Sequence, residues 1–351
     1  MRIYLKKRFF SNTEFVLAEN DGMRAVAFRY STGVEALRIE NTNGYFIILP
    51  FQGQQVWRVV FCGRELTMKT KLEEPVPTAE YLKTYGGFLL HCGIGGIGLP
   101  KAEDKHPQHG ELPNADYSDA YIDVKYDSMA VCGSYKYDMS FVKNYTFSPR
   151  CSLGKDDTVL KIKVKIENRR NSPMEYMYLC HINFCPVDGA ELVYSGDYNN
   201  IRIYKSGSES KELLRYMEDL KKNPSQHHVV GGKNQNYNPE ICFGIKYMGD
   251  KNNFAYTLQC FDSGACYVKH PVDALPYAVR WISRTGDEDS MGMVLPATSE
   301  HLGYTHAKKS GQVKILPGNS SIDFEIEAGY VDDKRASRIK DIIANIKGDI
   351  K

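Results

Sequence analysis

Apolar and polar positions alternate along much of this chain. From Thr158 to Glu167, residues Leu160, Ile162, Val164 and Ile166 fall on one face, and Lys161, Lys163 and Lys165 on the other. A period of two is the signature of a half-buried antiparallel strand with one wet side. Ser321 to Glu327 repeats the pattern, preceded by the run Gln312 to Leu316 and a turn at Pro317-Gly318-Asn319. Arg58 to Phe61 and Arg64 to Met68 flank Cys62-Gly63, which predicts a tight hairpin. Tyr45 to Leu49 and Tyr256 to Cys260 read as further strands.

Helical spacing is confined to a few places. Glu209 to Lys222 carries Leu213, Leu214, Met217 and Leu220, with Ser208 as an expected cap and Asn223-Pro224 as a stop. Lys334 to Lys347 carries Ile339, Ile342, Ile343 and Ile346 on one stripe, with Gly348 just beyond. Leu82 to Leu90 fits neither period cleanly. No repeat and no Pro/Ser-rich linker interrupts the chain. These elements predict an all-β fold, a large antiparallel β-sandwich with a few short helices, forming one domain over residues 1–351. The exception is the turn-rich stretch from Gly86 to Asp119, rich in Gly, His, Pro and Asp. A long ordered loop in a compact domain usually serves a function.

Composition narrows the function classes. Hydrophobic residues make up 42% of the 351 and charged residues 25%, as in globular proteins. A formal net charge of +2, with Lys and Arg scattered, argues against a nucleic-acid or anionic-membrane partner. The segment Met1 to Phe10 lacks the apolar core of a signal peptide, and no apolar run is long enough for a membrane helix. The nine cysteines include no Cys-x-x-Cys pair, so reduced, mostly buried thiols in a cytoplasmic protein are expected. The 24 tyrosines favour sheet and suit grooves as well as cores.

Candidate chemistry centres on histidine, which can give and take a proton near neutral pH. His181 lies in the strand-like run Tyr176 to Phe184 and shares a face with Asn183, whereas Ile182 and Phe184 face the other way. Two polar residues side by side on an apolar strand favour a site over a core. His109 lies in the turn-rich stretch. A metal held by His106 and His109 would need His91 as a third ligand, so no metal is expected. Gly93 to Gly98 lacks the strand–Gly–helix context of a dinucleotide loop and reads as a tight turn. Glu240 heads the run Ile241 to Ile245, where a carboxylate usually faces solvent. Leu275 to Trp281 puts a basic and an aromatic residue at a strand end, where sugars often bind, the plainer alternative being core packing of Trp281 beside a solvated Arg280; His227-His228 reads as surface loop.

Taken in order, several motifs resemble one family. They are Leu49 to Trp57, His106 to Asn114, Leu179 to Phe184, Pro239-Glu240, Leu275-Pro276 with Trp281, Leu295 to Thr298, and Leu316 to Gly318. Together they resemble the galactose mutarotase (aldose 1-epimerase) superfamily, and among its branches the functionally uncharacterised aldose-epimerase-like group. The likeness covers about Gly44 to Tyr330. It implies a β-supersandwich that binds a sugar in a groove and a cofactor-free isomerase reaction on a small-molecule sugar. A carboxylate takes the proton of the anomeric hydroxyl, a histidine protonates the ring oxygen, and the opened ring recloses as either anomer. Carried over, His181 matches the acid and His109 a sugar contact. Glu240 is a second catalytic candidate, and Arg58, Asn183 and Trp281 are groove candidates. The family's base is a Glu before a late-strand Pro; here that position is Leu295, which cannot take a proton. Either Glu240, Asp262, Glu300 or another carboxylate substitutes, or the chain is a silent sugar binder or sensor, or it runs a different sugar isomerisation or elimination. A missing base costs on the order of 10²- to 10⁴-fold in rate. If the chain self-associates, a homodimer is the expected form.

Overall fold

The computed structural model describes residues 1–231 and 236–348. Two large antiparallel sheets face each other. Nine strands form one, in the order Arg2–Tyr4, Asp119–Val124, Ser128–Met139, Lys143–Gly154, Val159–Asn168, Ser321–Val331, Gly264–Pro271, Phe254–Phe261, Glu191–Tyr194. Thirteen strands form the other. Its main path runs Gly196–Tyr204, Tyr237–Tyr247, Tyr277–Arg284, Asp289–Ala297, Met174–Ile182, Leu89–Ile94, Val56–Phe61, Gly44–Ile48, Glu35–Asn41, Met23–Arg29, Phe15–Asn20. Lys314–Leu316 pairs with Met174–Ile182, and Arg64–Glu65 with Val56–Phe61. The expected all-β class and the sandwich are thus both present.

The alternation explains the layers. In Val159–Asn168 the predicted apolar positions are buried and the three lysines exposed. Lys161, Lys163 and Lys165 stand opposite Glu327, Glu325 and Asp323 of Ser321–Val331, so the wet face is a ladder of opposite charges. The apolar faces of both sheets merge into one core that includes Ile162, Ile166, Ile326, Cys180, Ile182, Phe184, Phe243 and Met293. The Cys62-Gly63 hairpin forms as predicted. Phe61 pairs with Arg64, and both turn residues have positive φ (53° and 72°), the backbone of a type I′ turn.

Four expectations change. The first helix is Lys211–Lys222, capped by Ser210 rather than Ser208: the Ser210 side chain accepts from the Leu213 amide at 3.1 Å. Its buried stripe is Leu213, Met217 and Leu220, with Leu214 exposed. In the last helix, Asp333–Gly348, Ile339, Ile343 and Ile346 are buried and Ile342 is not, because four isoleucines span more arc than the contact with the nine-stranded sheet. The ambiguous stretch divides into a 3₁₀ turn at Tyr81–Thr84 and a fully buried strand at Leu89–Ile94. Arg280 and His227, read as solvated and as surface loop, are both buried. Arg280 Nη1 lies 2.8 Å from His227 Nδ1, because Arg280 points between the sheets while its neighbour Trp281 points out of the other face. Of the Val-Val-Gly-Gly that follows His228, Gly232 lies outside the described residues.

All nine cysteines are free thiols, and six are buried. Among the described residues no helix is long and apolar enough to cross a membrane.

Candidate functional site

The larger sheet buries one face in the sandwich core and turns the other toward loops. On that outer face, period two brings a row of residues together across neighbouring strands: Leu179 and His181, then Leu295, then Val279 and Trp281, then Glu240 and Cys242. Register supports the row, since Val279 stands opposite Leu295 and Trp281 opposite Cys242. These residues line a cavity of about 390 Å³. Three connections complete its walls, with Tyr81, Leu82 and Tyr85 from the 3₁₀ segment, Gly98 to Lys101 with Gln108 and His109 from the turn-rich stretch, and His301-Leu302. Tyr204 to Ser206 close the last side.

His181 is held by a chain of hydrogen bonds that fixes its protonation. Asn183 Nδ2 donates to the Gly87 carbonyl at 2.9 Å. Its amide oxygen therefore faces the imidazole, 2.7 Å from His181 Nδ1. A carbonyl oxygen only accepts, so Nδ1 carries the hydrogen and Nε2 keeps its lone pair. The Tyr85 hydroxyl donates to the same Asn183 oxygen at 3.1 Å. Burial favours the neutral ring and brings the His181 pKa down to about 4, against the opposing pull of Asn183.

His109 has the opposite arrangement. The Gly98 amide donates to its Nδ1 at 3.4 Å, so the hydrogen sits on Nε2. Burial, reinforced by the neighbouring His181, His301 and His106, holds it well below the usual histidine range. The His109 and His181 rings are 5.3 Å apart, edge to face. His109 adopts φ of 59°, a left-handed backbone in which Gly110 (79°) follows, and Gly110 approaches the Gly93 carbonyl too closely to admit a Cβ.

Aromatic rings form the rest of the enclosure. Tyr85 lies 5.8 Å from Trp281, Trp281 lies 5.3 Å from His181, and Tyr81 lies 4.8 Å from His109. Trp281 Nε1 donates to Glu240 Oε2 at 2.5 Å, orienting the carboxylate that lines the cavity.

Of the sequence candidates, His181, His109, Glu240 and Trp281 converge on this cavity. Asn183 sits behind His181 as its support. Arg58 does not join them; it pairs with Glu65 at 3.3 Å, outside the lining, because the Val56–Phe61 strand lies beyond Leu89–Ile94. Leu295 lines the wall, 2% exposed, and packs over Gly292, where a Cβ would strike its side chain. Two of the carboxylates that could have replaced a base are elsewhere. Asp262 lies in a hairpin turn of the nine-stranded sheet. Glu300 is bound by Arg202, Tyr204, His306 and Gln312 outside the lining. Burial alone would raise Glu300, but these partners outweigh it and bring its pKa to about 2. His91, the third histidine weighed for a metal, points into the core and bonds the Tyr178 hydroxyl at 2.8 Å.

Sequence reasoning missed Tyr81, Tyr85, Tyr204 and His301. The signal for the first two was their i, i+4 spacing at the start of the ambiguous stretch, Tyr81 just before it and Tyr85 within it. His301 lines the cavity with its Nδ1 buried and unpartnered, and burial brings it to about 4.

Comparison with known proteins agrees with the architecture. A provisionally named aldose 1-epimerase from Klebsiella pneumoniae superposes with a TM-score of 0.82 over 97% of this chain and 93% of that one, at 16% identity. A galactose mutarotase-like protein from Clostridium acetobutylicum gives 0.61 over 89% and 100%, at 14% identity. A provisionally named aldose 1-epimerase from Escherichia coli K12 gives 0.57 over 91% and 99%, at 11% identity. The fold is therefore galactose mutarotase-like. No curated protein matches by sequence. A family model described as a domain of unknown function, DUF4432, matches residues 31–329, and this chain belongs to that family.

Proposed function

We propose that this protein is a carbohydrate-active isomerase that interconverts the anomers of an aldose by acid–base ring opening. One observation carries the reading: a buried and a half-buried histidine, both held neutral and of opposite hydrogen-bonding sense, stand side by side in an aromatic-walled cavity that also holds a carboxylate. A hemiacetal has an oxygen that only accepts and a hydroxyl that also donates, which matches that pair. The faces of Trp281, Tyr81 and Tyr85 suit the apolar face of a sugar ring. His181 is the proton-transferring residue, His109 a sugar contact, and Glu240, with Trp281, a second polar contact and catalytic candidate. The fold likeness to aldose 1-epimerase-like proteins supports the same substrate class.

A second reading has its own observation. Leu179, Val279 and Leu295 make an apolar floor where the related motif carries a base, which favours a sugar binder that does not turn over. Polarimetry and exchange NMR on freshly dissolved aldoses, uronates and sugar phosphates separate the two. Faster anomer exchange, lost in His181→Ala with the melting transition retained, is the expected result. Saturation transfer from a sugar without faster exchange overturns the isomerase and supports the binder.

A further inference from the structure

We infer that His181 performs both proton transfers of the ring opening as a relay, while His109 stabilises the ring oxygen, so that no carboxylate base is used. The inference rests on the isomerase reading above and assigns the chemistry within it. It starts from what each ring nitrogen meets; the Tyr85 hydroxyl also lies 3.4 Å from His181 Nε2, but its hydrogen is directed to Asn183 at 3.1 Å. The Gly87 carbonyl dictates the orientation of the Asn183 amide, and the amide leaves His181 with an Nε2 lone pair. The Gly98 amide leaves His109 with an Nε2–H. The site therefore offers one acceptor and one donor from rings 5.3 Å apart. The anomeric hydroxyl and the ring oxygen are bonded to the same carbon, so a single nitrogen can reach both in succession.

The steps balance as follows. His181 Nε2 takes the proton of the anomeric hydroxyl. The O–H electron pair forms the C1=O1 double bond, and the C1–ring-oxygen bond breaks with its pair staying on the ring oxygen. The His109 Nε2–H bonds that developing alkoxide. The imidazolium of His181 then returns its proton to the ring oxygen, giving the open-chain aldehyde and restoring the neutral ring. Rotation about C1–C2 and the reverse sequence yield the other anomer. Asn183 is a positioning residue: its oxygen bonds the Nδ1–H that becomes more acidic when His181 is charged. Burial, which keeps His181 uncharged at rest, is what makes it a base rather than a standing acid. Leu295 then ceases to be a gap in the mechanism, since the relay needs no group there.

Two measurements on the full-length protein test this. Long-range ¹H–¹⁵N correlation spectra of the labelled protein read the tautomers without any sugar, with His181→Gln and His109→Gln spectra assigning the rings. The expected result is Nδ1–H at His181 and Nε2–H at His109. The same tautomer on both rings overturns the inference. The pH profile of kcat for the aldose that responds best in polarimetry then identifies the base. Asn183→Asp places a carboxylate against Nδ1 of the imidazolium and should move the acid limb upward by a pH unit or more. Glu240→Gln should raise KM and leave the limb where it is. A limb that ignores Asn183→Asp, or disappears in Glu240→Gln, assigns the base to Glu240 and overturns the relay. A wild-type protein that accelerates no anomer exchange fails the isomerase reading itself, and the relay with it, whatever the tautomers.

Discussion

Acidification should destabilise this fold through buried histidines, and His270 isolates the effect. His270 is fully buried on the Gly264–Pro271 strand, 5.2 Å from the Tyr247 ring, and neither ring nitrogen has a hydrogen-bond partner. Burial alone brings its pKa from 6.5 down to about 3. Between those values the unfolded chain binds a proton that the folded one does not. Stability from this group is therefore complete above pH 6.5 and is lost as pH falls toward 3. The slope approaches about 1.4 kcal/mol per pH unit, and from pH 7 to pH 5 the loss is about 2 kcal/mol. His270→Leu removes the ionisation and fills similar volume with carbon. Guanidinium unfolding at pH 7, 6, 5.5 and 5 should show the variant losing about 2 kcal/mol less than wild type over that range, with the two close together at pH 7. Equal pH slopes in both proteins would refute the reasoning, because they would mean that His270 takes up a proton in the folded state, or reaches water.

Other perturbations have equally definite outcomes. Leu160→Ala deletes a fully buried side chain from the main core and should cost about 2–5 kcal/mol in urea unfolding; a loss near zero would mean that the sheets can close over the gap. Leu295→Glu puts a carboxyl among Leu179, Val279 and Trp281, where burial raises its pKa; the variant should melt lower than wild type, and by more at pH 8 than at pH 5, as differential scanning fluorimetry will show.

Much of the fold was legible because strands write their burial directly into sequence. Leu160 to Ile166 could face only one way, and the Cys62-Gly63 turn could join only adjacent strands. His181 was legible for the same reason, as a polar residue on an otherwise buried strand. What escaped was long-range geometry. Arg280 and Trp281 are neighbours in sequence, and alternation demanded that they part, but not which of them would enter the core. A guanidinium carried there by Nε donation to the Met293 carbonyl, and by His227, has no local signature. Arg58 failed as a groove residue because its motif placed it near the site in sequence, whereas the Leu89–Ile94 strand separates it from the His181 row. The tautomers of His109 and His181 depend on Gly98 and Gly87, partners that only the fold brings into place.

The division of labour between strands and connections carries an evolutionary consequence. His181, Asn183 and Glu240 take their positions from the sheet and its edge, whereas Tyr81, Leu82, Lys101, Gln108 and His301 project from connections between elements. Connections tolerate insertion and exchange far better than a paired ladder does. A lineage built on this frame can therefore alter which molecule it admits, one loop at a time, while inheriting His181 and Glu240 in place, provided the loop that carries His109 is kept. Two threads join the parts, the Tyr85 hydroxyl on Asn183 and the Asn183 amide on the Gly87 carbonyl. A change of roof that keeps both leaves the imidazole where it was; one that loses them frees the histidine together with the roof.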